Sequence, residues 1–474
     1  MSLFHSIDEI HHNVRESRRS CLNYTQTVID ELDSYGRELQ AVRFTDAEFA
    51  MEQADAIDWE QASAAPLAGV PLAHKELFER IPQGREAWLS EGGSASCEGR
   101  RSQKTAFVLG QLDRRGAIDC GRLVSVEYAL GVTGHNDYAG TPHNPWQPDY
   151  ICGGSSSGSA ACVAAGIIPA ALGSDTGGSV RLPAAACGLV GLKPSYGLVS
   201  RSGVFELSSS LDTVGPLSRS VRDCALMLDA ISGYDGDDHA SISGAKRSYL
   251  DRLGQPVSGL KLALATEYFL TGADSDIADR VVSCFEAAEG WGMRLSEIAI
   301  PDIEATNPLN ILMISSEAAD VHKDRMLNAH DVMNEQTILR ILTGIYTSAE
   351  DRHRLAHIRA DITARTIDMI FSQTDFLITP VWPFALPKRT ESDVGASPQA
   401  APLMKRIGHN TRPFNFLGLP CIVVPVGFDR NGLPLSIQLV GRPYSEPELL
   451  QLAWQFEAHF RFWDHRPRGQ TSEG

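Results

Sequence analysis

Short apolar runs alternate with amphipathic stretches along most of this 474-residue chain. The runs have the length and composition of buried strands, and they lie at residues 67–74, 167–175, 260–266, 293–300, 375–382, 421–428 and 435–441. Between them the apolar spacing is helical. In residues 277–292, for example, Ile277, Val281 and Phe285 fall on one face. Alternation of this kind predicts an α/β protein built of α/β/α layers.

Two further segments complete this outline. Residues 21–39 carry apolar residues at helical spacing, with acidic and basic residues between them, and predict a helix near the N-terminus. Residues 390–401 are rich in serine, proline and alanine and predict a surface loop.

A dense cluster of small residues occupies positions 152–200, where GGSSSGSAACVAAG (153–166) is followed by GSDTGGSVRLPAAACGLVGLKPSYGLV (173–199). It contains two candidate nucleophiles, Ser155 and Ser179. The turn from Asp175 to Ser179 leaves several backbone N–H groups free to point one way, which suits an oxyanion. Serine–glycine runs are commonly flexible linkers. This one leads into an apolar stretch and a second glycine motif, so we predict an active site.

Lys75 is the candidate base for such a serine. A nucleophilic serine needs a base, and the histidine of a Ser-His-Asp triad is not where that arrangement requires it. Lys75 lies in LAGVPLAHKELF (67–78), an apolar, strand-like context. Burial lowers the pKa of a lysine from about 10.4, by up to ~3–5 units in the extreme, and a neutral Lys75 could accept a proton. The alternative is an ordinary surface lysine paired with Glu76.

Together, Lys75, GGSSSGS (153–159) and SDTGGSVRLPAAACGLVGLKPS (174–195) resemble the amidase signature family of serine amidohydrolases. The resemblance covers residues 66–226 and resumes over residues 413–453. The region of about residues 230–405 carries little signature, and in this family it varies with substrate. The resemblance implies that residues 1–474 form a single amidase domain, with a large mixed β-sheet covered by helices.

The same resemblance implies a Ser-Ser-Lys mechanism. Ser179 attacks the substrate carbonyl, Ser155 bridges, and Lys75 takes the proton; water then hydrolyses the acyl-enzyme. In family members the bridging serine follows a cis peptide bond. No cofactor or metal ion is expected. The oxyanion hole would consist of four backbone N–H groups, those of Thr176, Gly177, Gly178 and Ser179.

The substrate pocket is predicted by resemblance as well, with Ala129 and Ser155 near the scissile group and Trp382 bordering the acyl pocket. Trp88 and Phe384 add aromatic surface, although plain core packing explains all three aromatic side chains equally well. We therefore expect a small aromatic or hydrophobic carboxamide, hydrazide or carbamate as substrate. The chain resembles stand-alone bacterial aryl and arylalkyl amidases. It departs from many relatives at Glu76 and Leu77, which leaves the shape of the nearby pocket wall open.

Three alternatives compete with this interpretation. A glutaminase-type subunit of a tRNA amidotransferase would need partner chains. A non-catalytic binding protein on the same fold would have no use for Lys75, Ser155 and Ser179 together. The G-x-S-x-G pattern at 154–158 would make Ser156 the nucleophile of a strand–turn–helix elbow, but the preceding segment holds three prolines and does not look like a strand.

The net charge and composition of the chain limit the kinds of molecule that it is expected to bind. A formal net charge of −17 disfavours nucleic acid and anionic membrane surfaces. No stretch approaches the ~20 apolar residues of a membrane span, and the first residues do not resemble a signal peptide. Nine cysteines without paired spacing fit reduced thiols. We expect a cytoplasmic enzyme that acts on a small amide-type molecule, with a homodimer left open.

Overall fold

A mixed β-sheet forms the centre of the computed structural model, which describes residues 4–62, 65–244, 248–393 and 397–467. The described strands are β1 (Val42–Thr45), β2 (Pro71–Lys75), β3 (Ile118–Leu123), β4 (Ala170–Asp175), β5 (Val190–Lys193), β6 (Thr213–Ser218), β7 (Lys261–Leu264), β8 (Arg294–Glu297), β9 (Phe376–Pro380), β10 (Cys421–Phe428) and β11 (Pro434–Gly441). Eight of them form one sheet in the order β4-β6-β5-β10-β11-β9-β7-β8. Strand β7 pairs in parallel with β8 and β9, and the other neighbours are antiparallel. The predicted large mixed sheet is confirmed.

Helices pack on this sheet, for example α17 against β10, α8 against β6 and α10 against β9. The layered α/β architecture expected from the alternation is therefore confirmed. The described helices are α1 (Ile7–Val14), α2 (Arg18–Glu31), α3 (Ala47–Asp55), α4 (Trp59–Ala62), α5 (Phe107–Asp113), α6 (Ser157–Ala164), α7 (Arg181–Ala186), α8 (Val221–Ile231), α9 (Thr266–Phe269), α10 (Ser275–Ala287), α11 (Ile303–Ala329), α12 (Glu335–Ile345), α13 (Ala349–Gln373), α14 (Arg389–Ser392), α15 (Ala400–Ile407), α16 (Arg412–Phe416) and α17 (Glu446–Phe460).

A second, three-stranded sheet has the order β1-β3-β2. Strand β2 is parallel to β3 and also runs beside β4, where the Leu172 N–H donates to His74 Nδ1 at 3.2 Å. Lys75, the last residue of β2, therefore lies next to the end of β4. The two sheets meet where the sequence places its candidate base and its glycine turn.

Some elements differ from the prediction. Strand β3 was not predicted because it carries Asp119 and Arg122, which are buried as an ion pair with N–O at 2.9 Å. The helix predicted over 21–39 is present. It begins earlier, at Arg18, and continues from α2 through a π-helical turn at Leu32–Gly36 as far as Glu38. In the predicted loop at 390–401, short helices α14 and α15 occupy both ends, and residues 394–396 lie outside the described residues.

The helices vary widely in length, but in the ranges that the structure describes none is both long enough and apolar enough to cross a bilayer. The assignment of residues 1–474 to one domain stays a prediction.

Candidate active site

Lys75 lies at the meeting point of the two sheets with none of its surface exposed. Its Nζ is 2.7 Å from Ser155 Oγ and 2.9 Å from Ser174 Oγ. Strand β2 brings the lysine, β4 brings Ser174, and the loop before α6 brings Ser155. The sequence prediction named Lys75 and Ser155 but missed Ser174, although Ser174 stands inside the quoted motif.

Burial decides the protonation of Lys75. Removal from water disfavours the ammonium form and lowers the pKa of Lys75 to about 7, while Asp212, Asp175 and Glu76 act in the opposite direction. The nearest of these in sequence, Glu76, is held by the Ser125 N–H at 3.0 Å and the Ser125 hydroxyl at 3.2 Å. A large fraction of the Lys75 side chains is consequently neutral at neutral pH and able to accept a proton.

Ser155 stands in a tightly packed backbone. The Gly154–Ser155 peptide bond is cis, as the family resemblance implies. A Cβ on residue 154 would lie 2.9 Å from the Gly134 nitrogen, so only glycine fits before the serine. The Ser155 carbonyl accepts a hydrogen bond from the Val126 N–H at 3.1 Å. These contacts fix the loop that presents the hydroxyl to Lys75.

The turn that carries Ser179 connects β4 to α7 and is organised by Asp175. The Asp175 carboxylate accepts from the Gly178 N–H at 2.8 Å and the Val180 N–H at 3.2 Å. It also pairs with Arg181, whose Nε and Nη2 are each 3.0 Å from a carboxylate oxygen. Both side chains are fully buried, and the pKa of Asp175 is held well below its usual range.

The two serine loops are joined directly. The Ser156 N–H donates to the Ser179 carbonyl at 3.3 Å. Ser179 is 5% exposed and lines a cavity, whereas Ser155 is fully buried and is not among the residues that line it. Their placement fits the order in which the resemblance uses them, with Ser179 toward the substrate and Ser155 toward Lys75.

The predicted oxyanion hole needs one correction. The Gly178 N–H donates to Asp175 and so belongs to the internal bracing of the turn. For Thr176, Gly177 and Ser179, no acceptor for the backbone N–H occurs in the part of the chain that the structure describes, and all three residues line the cavity. The structure therefore leaves three of the four predicted donors available to a substrate oxygen.

The cavity in front of Ser179 has a volume of about 300 Å³. Ala129 lines it, as predicted, and its small side chain leaves space there. Most of the wall is aliphatic, and its polar members include side chains that the sequence prediction did not name. The lining residues are Ala129, Leu130, Gly131, Val132, Thr176, Gly177, Ser179, Leu207, Ile311, Ile314, Ser315, Gln336, Leu339, Arg340, Thr343, Met404, Lys405 and Arg412.

Trp382 does not lie where it was predicted. Its indole N–H donates to the Leu182 carbonyl at 3.2 Å, and the ring lines a separate small cavity together with Phe384. Trp88 is also elsewhere, since its indole N–H donates to Asp46 at 2.9 Å. No aromatic side chain is among the described residues that line the cavity at Ser179. The prediction that Trp382 borders the acyl pocket is corrected accordingly.

Gln336, Arg340 and Arg412 were missed by the sequence prediction. They come from α12 and α16, and no local motif marks them as pocket residues. In the described residues, no group of three or more His, Cys, Asp and Glu side chains is placed to hold a metal ion.

Comparison with known proteins gives matches over nearly the whole chain. A family model described as Amidase matches residues 23–450. One of the subunits of the glutamyl-tRNA(Gln) amidotransferase of Neisseria meningitidis is 33% identical over 431 residues, which cover 86% of this chain and 87% of the relative. The corresponding subunit of Chromobacterium violaceum is 33% identical over a match that covers 92% of this chain and 94% of the relative. A bacterial aryl acylamidase of the amidase signature enzymes has a TM-score of 0.87 over 99% of both chains at 24% identity, a likeness of fold.

Proposed function

Because the chain belongs to the amidase signature family, we propose that it hydrolyses a small carboxamide with a largely apolar acyl group, or a related acyl C–N bond such as that of a hydrazide or carbamate. One observation carries this proposal: a buried Lys75 contacts Ser155, and the loop of Ser155 is hydrogen-bonded through the Ser156 N–H to Ser179, which lines a largely apolar cavity. The aromatic preference expected from the sequence is dropped, since its three aromatic side chains lie outside that cavity.

The proposed reaction passes through an acyl-enzyme on Ser179. Ser179 Oγ attacks the carbonyl carbon while its proton moves through Ser155 to Lys75 Nζ. Protonated Lys75 returns the proton through Ser155 to the departing nitrogen, which leaves as ammonia or an amine. Water then attacks the Ser179 ester with the same relay, releases the carboxylic acid and restores both serines.

The oxyanion that forms in each half of the reaction needs donors already in place. The N–H groups of Thr176, Gly177 and Ser179 supply them, and removal of one such donor costs roughly 10²–10³ in rate in other enzymes. These donors need no reorientation during the reaction, because the Asp175–Arg181 pair holds their turn rigidly.

A glutaminase-type amidotransferase component is the second candidate, favoured by the identity to the Neisseria and Chromobacterium proteins. Glutamine carries an ammonium group beside its carboxylate. No acidic side chain is among the described residues that line the cavity, so that ammonium group would lack a charged partner there. A non-catalytic binding protein is the alternative with the least support, because ligand binding does not need a buried neutral lysine beside a serine.

The test is turnover of acetamide, butyramide, phenylacetamide, benzoic hydrazide, an aryl carbamate and glutamine by the purified chain. Ser179→Ala is expected to retain less than about a thousandth of the activity. The matched control is Ser156→Ala, which removes a neighbouring hydroxyl that, among the described residues, donates a hydrogen bond to the Ser174 carbonyl at 3.4 Å and to no other group. It should keep activity within a few-fold. Loss in Ser156→Ala with retention in Ser179→Ala would assign the nucleophile to the G-x-S-x-G pattern instead.

A further inference from the structure

Three basic side chains, Arg340, Lys405 and Arg412, line the cavity at Ser179, and no acidic one does so among the described residues. The chain as a whole is the opposite, with 59 acidic and 42 basic residues. A cavity whose only ionic groups are cations concentrates anions from solution. The positive charge of the residues that line this cavity therefore indicates that its ligand is negatively charged.

Arg412, at the start of α16, is 5% exposed. Its guanidinium donates to Asn307 Oδ1 at 3.2 Å and to the carbonyls of Lys405 at 3.0 Å and Met404 at 3.2 Å. All three acceptors are neutral. Within the described ranges no carboxylate forms an ion pair with Arg412, so its charge is solvated only by dipoles.

Arg340, on α12, is only partly buried and has even fewer partners. It donates to the Leu130 carbonyl and lies 3.7 Å from Met404 Sδ. No carboxylate of the described residues pairs with it. A guanidinium has five N–H donors, and most of those on Arg340 have no acceptor within the part of the chain that the structure describes.

The two guanidinium groups disfavour each other. Although part of the Arg340 side chain is exposed, the loss of water around its charge lowers the pKa of Arg340 to about 10. Burial and the charge of Arg340 together lower the pKa of Arg412 to about 10. Both guanidinium groups contact Met404, Arg340 at its Sδ (3.7 Å) and Arg412 at its carbonyl (3.2 Å), so the two positive charges lie near the same residue, and a bound anion would offset them.

The Arg412 side chain begins close to the turn that carries Ser179. Its Cγ lies 3.5 Å from where a Cβ on Gly177 would stand, so the side chain begins beside the oxyanion turn and leads away from it. Gln336 adds a further polar group to the wall. It is 6% exposed, and its Oε1 has no hydrogen-bond partner among the described residues.

We propose that the pocket binds an acyl group that ends in a carboxylate, held by Arg412 and Arg340, so that the substrate is a monoamide of a dicarboxylic acid or a carboxylated aryl amide. Arginine presents paired N–H groups that match a carboxylate. The aliphatic wall, which includes Leu130 and Ile314, packs the carbon chain between the amide and the acid. This inference rests on the proposed function, because it names the substrate class of the same site.

The experiment compares acids with neutral isosteres: succinamate, glutaramate, adipamate and para-carboxyphenylacetamide against butyramide, valeramide, hexanamide and para-methylphenylacetamide. At least one acid should exceed its isostere in kcat/KM by about 10–100-fold, the range expected for hydrogen bonds to a charged group. Arg340→Met should remove this advantage, so that the kcat/KM of each acid falls to that of its neutral isostere or below. Arg340→Lys should restore part of it.

A matched control is Arg406→Met. Arg406 is an exposed cation on α15 whose guanidinium lies 4.5 Å from the Phe384 ring centroid, outside the lining of the cavity. It should leave the preference for acids unchanged. Arg412→Met should likewise weaken the preference for acids. Because Arg412 also donates to three neighbouring groups, this variant could fail to fold, and in that case the result for Arg340→Met is the deciding one.

Calorimetric binding to Ser179→Ala separates this inference from the proposed function. Adipamate should bind more tightly than hexanamide, and the difference should vanish in Ser179→Ala/Arg340→Met. Ser179-dependent turnover with equal preference for acids and isosteres would overturn the inference and leave the proposed function standing. Absence of turnover together with Arg340-dependent binding of adipamate would do the reverse. Absence of both would overturn both.

Discussion

Burial alone does not make a lysine a base, as a comparison of Lys75 with Lys193 shows. Both ammonium groups are buried, and burial lowers the pKa of Lys193 to about 8. Lys193 Nζ donates to the Pro194 carbonyl at 3.0 Å, whereas Lys75 Nζ contacts the hydroxyls of Ser155 and Ser174. A carbonyl cannot pass a proton on, but a hydroxyl can. The chemical role of Lys75 comes from its neighbours.

In the proposed mechanism the reactive form of Lys75 is the neutral one, and burial lowers the pKa of Lys75 to about 7. Measured with phenylacetamide, which does not titrate in this range, kcat/KM should therefore rise with pH. It should reach half its maximum near pH 7 and fall about tenfold per unit below that. Lys75→Met should reduce activity to below about a thousandth and remove the dependence on pH. A flat profile between about pH 5.5 and 9 in the unaltered enzyme would rule out Lys75 as the base.

The site residues predicted from the sequence stand in local motifs, whereas the residues that were missed depend on neighbours that are distant in the sequence. Lys75, Ser155 and Ser179 were found because each stands in a local motif. Trp382 was misplaced because a sequence does not show which way a side chain turns at the end of a strand; here the indole N–H turns toward the Leu182 carbonyl. Arg340 was missed because its significance depends on the absence of a carboxylate nearby in space, which no local pattern encodes.

The element that matters most is the turn between β4 and α7. The motif at 174–179 predicted a nest of N–H donors, but not that Asp175 would accept from the one on Gly178. That detail depends on how the carboxylate is shared among the turn, Arg181 and Asn415, whose Nδ2 donates to Asp175 Oδ1 at 2.8 Å. The composition of a loop can thus predict its purpose while leaving the assignment of each donor to the three-dimensional structure.

The two central glycines of the turn should respond differently to a methyl group. Gly178 has φ +124° and a Cβ there would lie 2.3 Å from Thr411 Oγ1, whereas a Cβ on Gly177 would meet Ile314 Cδ1 first, at 3.4 Å. Gly178→Ala should lower the free energy of unfolding by about 1–3 kcal/mol or more. Gly177→Ala should change it by less than about 1 kcal/mol. Urea denaturation of both variants measures this, and equal effects would contradict the described geometry of the turn.

The strands also differ in whether their own sequence or their pairing partners identify them. The boundaries of β10 agree with the apolar run at 421–428, since the strand is buried along most of its length. Strands β5 and β6 were not predicted, because they are short and contain glycine or proline, and β5 lies inside the segment of small residues at 152–200. Their pairing partners, β10 and β4, supply the context that identifies them.

At the scale of the whole molecule, the distribution of charge is more informative than its sum. A net charge of −17 argued against nucleic acid as a ligand. It did not reveal that the candidate site itself is cationic, because three basic side chains on separate stretches of the chain meet there.

The isolated chain should be active without partner subunits. We expect the purified protein to hydrolyse its best amide at least about tenfold more efficiently than glutamine, because no acidic side chain of the described lining can pair with the ammonium group. Ammonia release measured for glutamine and glutaramate at equal concentration checks this, since the two differ only in that group. Glutamine as the best substrate would favour a role in an amidotransferase.

The bracing of the Ser179 turn has a consequence for the newly made protein. Arg181 pairs with Asp175, but its remaining donors reach the Thr411 carbonyl at 3.0 Å, Asn415 Oδ1 at 2.5 Å and Gln438 Oε1 at 2.6 Å. All three acceptors leave the ribosome more than 200 residues after the arginine. A nascent or prematurely terminated chain that contains Lys75, Ser155 and Ser179 therefore lacks three of the groups that hold the Ser179 turn in place, and the proposed hydrolysis would require a chain that extends to Gln438.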